Sequence, residues 1–130
     1  MNILGTGIDL VDVKRINKLL HKNNKFLSRI FTNNEITYCD KSINSSNCYA
    51  KRFAAKESFI KALGGLIKHI NFKDIEVKNS KSGKPSIYIK KFIQKEIQRV
   101  FKIKKYNIYL SLSDEKNYAV ASVLITKNEN

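Results

Sequence analysis

The stretch Arg52–Gly65, RFAAKESFIKALGG, decides how the rest of the chain is read. As a helix it sets Glu57 and Lys61 four residues apart, one above the other on a single face. Small residues (Ala54, Ser58, Ala62) stand beside them and leave room for a ligand or another chain. Arg52 and Lys56 form a second polar pair on the opposite side, among Phe59, Ile60 and Leu63. A helix that only roofs a core keeps one polar and one apolar side. Here polar groups divide the apolar ones, so the expectation is a buried helix with functional groups embedded in it. The plainer reading is a surface Glu–Lys pair, which contributes about 0.2–0.5 kcal/mol.

Upstream, residues 2–11 read as a short strand interrupted by Gly5 and Gly7, where glycine marks a bulge or a close approach by another group. Alternation points Asp9 away from Ile8 and Leu10. Asp12 is the better cap for the following helix, Val13 to about Lys22, so capping leaves Asp9 unexplained. That helix carries Lys14, Arg15, Lys18 and Lys22 on its exposed face. A second helix is expected over 25–31. A third runs from Asn33 to about Lys41 behind a Thr32/Glu35 capping box. SINSSN (42–47) reads as a loop, and the central helix is placed at about 48–64, ended by Gly64 and Gly65.

Downstream, strands are expected at 75–79 and 86–90 around the turn SKSGKP (80–85), then an amphipathic helix from Phe92 to Phe101. Strands at 106–113 and 118–126 flank a turn at DEKN (114–117). The order predicts one α+β domain over residues 1–130, with an antiparallel sheet packed against the long central helix.

The 130 residues suffice for a modest core, and a hydrophobic share of 42% excludes disorder. The net charge of +14 points to an acidic partner. Only four of the 25 basic residues are arginines, and the lysine excess, with many Asn and Ile, matches an A/T-rich coding bias. Arg15, Arg29, Arg52 and Arg99 are therefore the more informative cations. Cys39 and Cys48 lack metal-ligand spacing and read as free thiols in a reducing compartment. The N-terminus has no signal-peptide pattern and no stretch is long enough to span a membrane, so a soluble cytoplasmic chain is expected. A basic nucleic-acid module is the competing class. It finds no RNP-like aromatics, zinc spacing or GXXG loop here, and it gives Asp9 and Glu57 no work.

Taken together these blocks resemble the small bacterial holo-[acyl-carrier-protein] synthases of the 4′-phosphopantetheinyl transferase family. The family's G-x-D-x-V-x-x-x-R-I is matched from Gly7 to Ile16, and R-F-A-x-K-E-x-x-x-K-A-x-G from Arg52 to Gly64. FTNNEITYC (31–39), the S-G-K-P turn at Ser82–Pro85 and the ending at Ser111–Val123 follow at family spacing. Many members have His where this chain has Asp114; others also have Asp.

The resemblance implies transfer of 4′-phosphopantetheine from coenzyme A to a serine of apo acyl carrier protein. Adenosine 3′,5′-bisphosphate leaves, and the reaction supports fatty acid biosynthesis. It implies Mg²⁺ held by Asp9 and Glu57, with the glycines admitting the pyrophosphate beside Asp9. Lys61 stabilises the leaving group, and either Glu57 or a metal-bound water takes the serine proton. Arg52, Lys56, Lys61 and the Gly83-Lys84-Pro85 turn are assigned to coenzyme A. The ridge Lys14, Arg15, Lys18 and Lys22 is assigned to the acidic carrier protein. A homotrimer with active sites between subunits is also implied, with no nucleic acid or membrane partner.

Overall fold

Two glycines let the first strand, β1 (Ile3–Asp12), lie directly on the long helix α4 (Ser45–Ala62). A Cβ built on Gly5 would stand 1.8 Å from the Ala62 carbonyl oxygen, and one on Gly7 1.9 Å from that of Ser58. Both lie far inside contact distance, so only glycine permits this approach. A register shift between Ile3 and Gly5 adds a bulge. The glycines therefore serve the helix backbone, which corrects their assignment to a pyrophosphate. The small residues of α4 are corrected in the same way. Ser58 is fully buried and its Oγ donates to the Ala121 carbonyl at 2.9 Å, so the room beside Glu57 is filled by the chain's own sheet.

The structure, a computed structural model, describes residues 2–128. After β1 come α1 (Val13–Lys22), α2 (Asn24–Ile30), α3 (Asn33–Asp40) and α4, then β2 (Ile75–Asn79), β3 (Pro85–Ile89), α5 (Lys91–Phe101), β4 (Tyr106–Asp114) and β5 (Tyr118–Lys127). The α+β class and the central helix are as expected. The strands, however, form two sheets: an antiparallel three-stranded one in the order β1-β5-β4, and a separate β2–β3 hairpin lying against β4.

Local chemistry accounts for the early boundaries. The Asp12 carboxylate accepts the Lys14 amide at 2.9 Å, and the Thr32/Glu35 capping box is complete. The central helix begins earlier than read, because its polar first turn finds tertiary partners. Ser46 Oγ donates to Asn17 Oδ1 at 2.9 Å, and the buried Asn47 donates to Asp114 and to the Glu115 carbonyl. Gly64, at φ +63°, follows the last turn as the expected left-handed cap.

Two apolar clusters form the core and share α4 between them. One gathers Phe31, Tyr49, Phe53, Ala54 and Ala121; the other gathers Phe59, Leu63, Ile75, Ile93, Ile97 and Ile125. The helix is buried on most of its circumference, as its mixed pattern foretells. The free-thiol reading is wrong. Cys39 at the end of α3 and Cys48 in the first turn of α4 form a disulfide, with Cα atoms 5.4 Å apart. Antiparallel packing of the two helices brings the residues together, and the argument for a reducing compartment loses that support. No helix among the described residues is long and apolar enough to cross a membrane.

Candidate active site

With β1 pressed on α4, the inward side chain after Gly5 and Gly7 is Asp9, while Ile8 and Leu10 point outward at 63% and 65% exposure. Lys61 Nζ donates to Asp9 Oδ1 at 2.9 Å and to the Ile8 carbonyl at 3.1 Å. The lysine thus reaches across to β1, and the ion pair it makes is with Asp9 instead of Glu57 one turn below. Glu57 nonetheless shares this environment. Burial, and then the charge of Asp9, push its carboxyl above the ordinary glutamate range, while Lys61 and Arg15 oppose the shift. Strand β1, helix α1 and helix α4 therefore place Asp9, Arg15 and Lys61 where their charges act on Glu57.

Two carboxylates suit a hard dication. Among the described residues no third His, Cys, Asp or Glu joins them, so water and substrate phosphate would complete the shell, as Mg²⁺ prefers. The repulsion that raises Glu57 is what a bound cation relieves, so the donor set fits Mg²⁺.

A pH prediction follows from the causes of that shift. Asp9→Asn removes a charge that raises Glu57, so its carboxyl titration should move to lower pH. Lys61→Ala removes an opposing charge and should move it higher. Carboxyl-detected NMR titration of Glu57 in the metal-free protein reads both directions, and movement the other way would contradict this electrostatic account.

The opposite side of α4 holds a separate polar cluster. Arg52 and Lys61 are nine residues apart, half a revolution around the helix. The Arg52 guanidinium is buried, lies 4.4 Å from the Tyr38 ring centroid, and donates to Asn79 Oδ1 and to Cys48 Sγ. Its Nε has no hydrogen-bond partner among the described residues. Burial pushes Arg52 down, and Glu35 is the leading charge that opposes this. Arg52, Tyr38, Asn34, Lys78 and Asn79 line a cavity of about 310 Å³.

Lys56 does not join that cavity. Its ammonium is fully buried and spends its three protons on Glu35 Oε1 at 2.6 Å, the Ile30 carbonyl at 2.7 Å and the Phe72 carbonyl at 3.1 Å. Its assignment to coenzyme A is therefore corrected: it is a structural cation, and burial pushes its pKa down. Gly83 and Lys84 are exposed at the tip of the β2–β3 hairpin, with Pro85 half-buried. Lys14, Arg15, Lys18 and Lys22 stand exposed on α1. Asp114 is held by Asn47 Nδ2 at 2.7 Å and by Lys51 at 3.3 Å, so it anchors the last hairpin to α4. Sequence reasoning missed Tyr38, Asn47 and Asn79. Asn47 was hidden in a polar run that looks like a loop, and the other two carry no pattern without their partners.

The family model described as the 4′-phosphopantetheinyl transferase superfamily matches residues 5–123, which includes both carboxylates and the turn of the last hairpin. The chain belongs to this superfamily. Among phosphopantetheinyl transferase relatives it is 48% identical to the holo-[acyl-carrier-protein] synthase of Pelagibacter ubique, over 98% of this chain and 99% of that one. It is 43% identical to the synthase of Halothermothrix orenii, over 94% and 96% of the two chains. The solved synthase of Neisseria meningitidis superposes with a TM-score of 0.83 at 35% identity, covering 96% of this chain and 99% of that one. The Bacillus anthracis synthase, solved in complex with CoA (3′,5′-ADP), does so with a TM-score of 0.78 at 35% identity, covering 98% and 100%.

Proposed function

We propose that this chain is a holo-[acyl-carrier-protein] synthase, moving 4′-phosphopantetheine from coenzyme A to a serine of apo acyl carrier protein. The observation that carries this reading is the Asp9–Glu57–Lys61 cluster, built by a glycine-dependent strand–helix contact in a chain whose relatives bear that name. The serine oxygen forms the new bond to the phosphorus that carries the pantetheine, and the bond from that phosphorus to adenosine 3′,5′-bisphosphate breaks. Asp9 and Glu57 would hold Mg²⁺, which when bound supplies charge neutralisation at the pyrophosphate oxygens. Glu57, set at this cluster beside Asp9 and Lys61, is the candidate to accept the serine proton. Incubation with coenzyme A, Mg²⁺ and apo carrier protein should add about 340 Da to the carrier, the mass of the transferred group. An unchanged carrier mass would reject the reading.

Lys61 keeps half its side chain exposed at the cluster, so it can exchange Asp9 for a phosphate as charge builds. Lys61→Ala should lower kcat by about 10²-fold while the KM for coenzyme A changes far less. A kcat within about twofold of wild type would remove Lys61 from the mechanism.

The α1 ridge fits the acidic carrier, since complementary charge speeds encounter and fixes register. Arg15→Glu should raise the carrier's KM strongly and leave that of coenzyme A nearly unchanged. Added salt should weaken the wild type in the same direction, since exposed charges are screened over about 10 Å at 0.1 M. Equal impairment toward both substrates would place Arg15 at the coenzyme instead.

Arg52, which lines the cavity beside Tyr38 and Asn79, and the Gly83-Lys84-Pro85 turn are assigned to the adenosine end of coenzyme A. They lie on the far side of α4 from Lys61, which supports a homotrimer in which one copy's catalytic cluster meets the next copy's adenosine site. The outer face of the three-stranded sheet leaves Ile8, Leu10, Tyr109 and Tyr118 uncovered, a surface suited to such contact. The cytoplasm is the compartment this pair of substrates implies.

A further inference from the structure

Among the described residues, one side chain hydrogen-bonds both α4 and the hairpin turn assigned to the adenosine 3′-phosphate. Asn79, the last residue of β2, lies across from Pro85 in the hairpin register. Its Oδ1 accepts from Arg52 Nη2 on α4, and its Nδ2 donates to the Gly83 carbonyl at 3.0 Å. The turn shapes itself internally. Ser80 N donates to the Lys84 carbonyl at 2.9 Å, Gly83 N to the Ser80 carbonyl at 2.9 Å, and Lys84 N to Ser80 Oγ at 3.2 Å. None of these bonds reaches α4. Among the described hydrogen bonds, Asn79 alone joins the turn to the arginine.

The amide orientation is dictated by its neighbours. A guanidinium can only donate and a carbonyl can only accept, so the reversed amide would face a donor with a donor and an acceptor with an acceptor. Aspartate can satisfy Arg52 but has no proton for Gly83. Alanine satisfies neither.

We propose that Asn79 is a positioning residue for coenzyme A, holding the Gly83–Lys84 turn in register with the Arg52 guanidinium so that both meet the 3′-phosphate. This rests on the assignment of that phosphate to the turn. Asn79 itself touches Arg52 and Gly83 and acts through them.

The test compares coenzyme A with 3′-dephospho-coenzyme A in wild type, Asn79→Asp and Asn79→Ala. Wild type should favour coenzyme A. Both variants should raise the KM for coenzyme A by about tenfold, the loss expected when a hydrogen-bonded charge contact is misplaced, with kcat within about twofold. The KM for the dephospho analogue should not move. Amide exchange at Gly83 and Lys84 should accelerate in both variants, a readout independent of activity. Equal loss toward both substrates would make Asn79 merely structural and overturn the proposal. Loss in Asn79→Asp but not in Asn79→Ala would trace the effect to the added charge and overturn it too. A wild type that transfers but does not distinguish the two substrates would remove the phosphate from the turn, and the proposal would fall with that assignment. Absence of transfer in the wild type would instead mark failure of the synthase reading itself.

Discussion

Asp9→Ala and Glu57→Ala should each lower transfer by about 10³-fold or more, the upper end of what one preorganised electrostatic group contributes. Neither should unfold the protein. The Asp9–Lys61 pair has a half-exposed lysine, and such pairs contribute about 0–1 kcal/mol. Glu57 should even behave oppositely to a structural residue. Its carboxyl is pushed up in the folded state by burial and by Asp9, so folding disfavours its charge. Glu57→Ala should therefore be as stable as wild type or more so at neutral pH. That gain should vanish as pH falls below the carboxyl's unfolded pKa, where both states are protonated. Activity measured beside thermal denaturation at pH 7 and pH 4 separates these effects. An active Glu57→Ala enzyme at low Mg²⁺ would remove the carboxylate from the reaction.

Glu35→Ala should do the reverse, with a large loss of stability and only secondary effects on chemistry. The Glu35 carboxylate is 1% exposed and accepts from Thr32 N at 3.0 Å, Val77 N at 3.0 Å and Lys56 Nζ at 2.6 Å. It joins α3, α4 and β2 in a region closed to solvent. Removing it strands the Lys56 ammonium, and breaking a buried pair from one side costs about 3–5 kcal/mol. That is a large share of a total stability of roughly 5–15 kcal/mol, and Tm should fall by on the order of 10 °C. The double variant Glu35→Leu/Lys56→Met should recover only part of the loss, because it removes both buried charges but leaves the Thr32 and Val77 amides and the Ile30 and Phe72 carbonyls without these partners. Urea denaturation of the two variants measures this coupling. If Lys56→Met left stability within about 1 kcal/mol and raised the KM for coenzyme A instead, Lys56 would return to the phosphate site.

Much of the secondary structure was legible because its causes are local. The Asp12 cap, the Thr32/Glu35 capping box and the Gly64 stop each depend on residues within four positions of one another, so composition and spacing suffice. The start of α4 was not legible, since Ser46 and Asn47 are helical through bonds to Asn17, Asp114 and Glu115, far away in sequence. Within the site, Asp9, Glu57 and Lys61 stood out through their sequence blocks. That Lys61 pairs with Asp9, however, follows from β1 lying on α4.

The sequence by itself determined the α+β order, the long helix with polar groups on two sides, and the candidate site residues. It did so because periodicity, caps and motif spacing are short-range properties of the chain. Only the tertiary structure decided which of those polar residues are spent inside the core and which line a cavity. Lys56 and Arg52 are one turn apart and look equivalent in the chain. One is saturated by three oxygens in the core, while the other lines a cavity. The same holds for Gly5 and Gly7, for the Cys39–Cys48 bond and for Asn79. Each takes its role from a neighbour brought close by packing, and a contact across the fold leaves no periodic trace in the sequence.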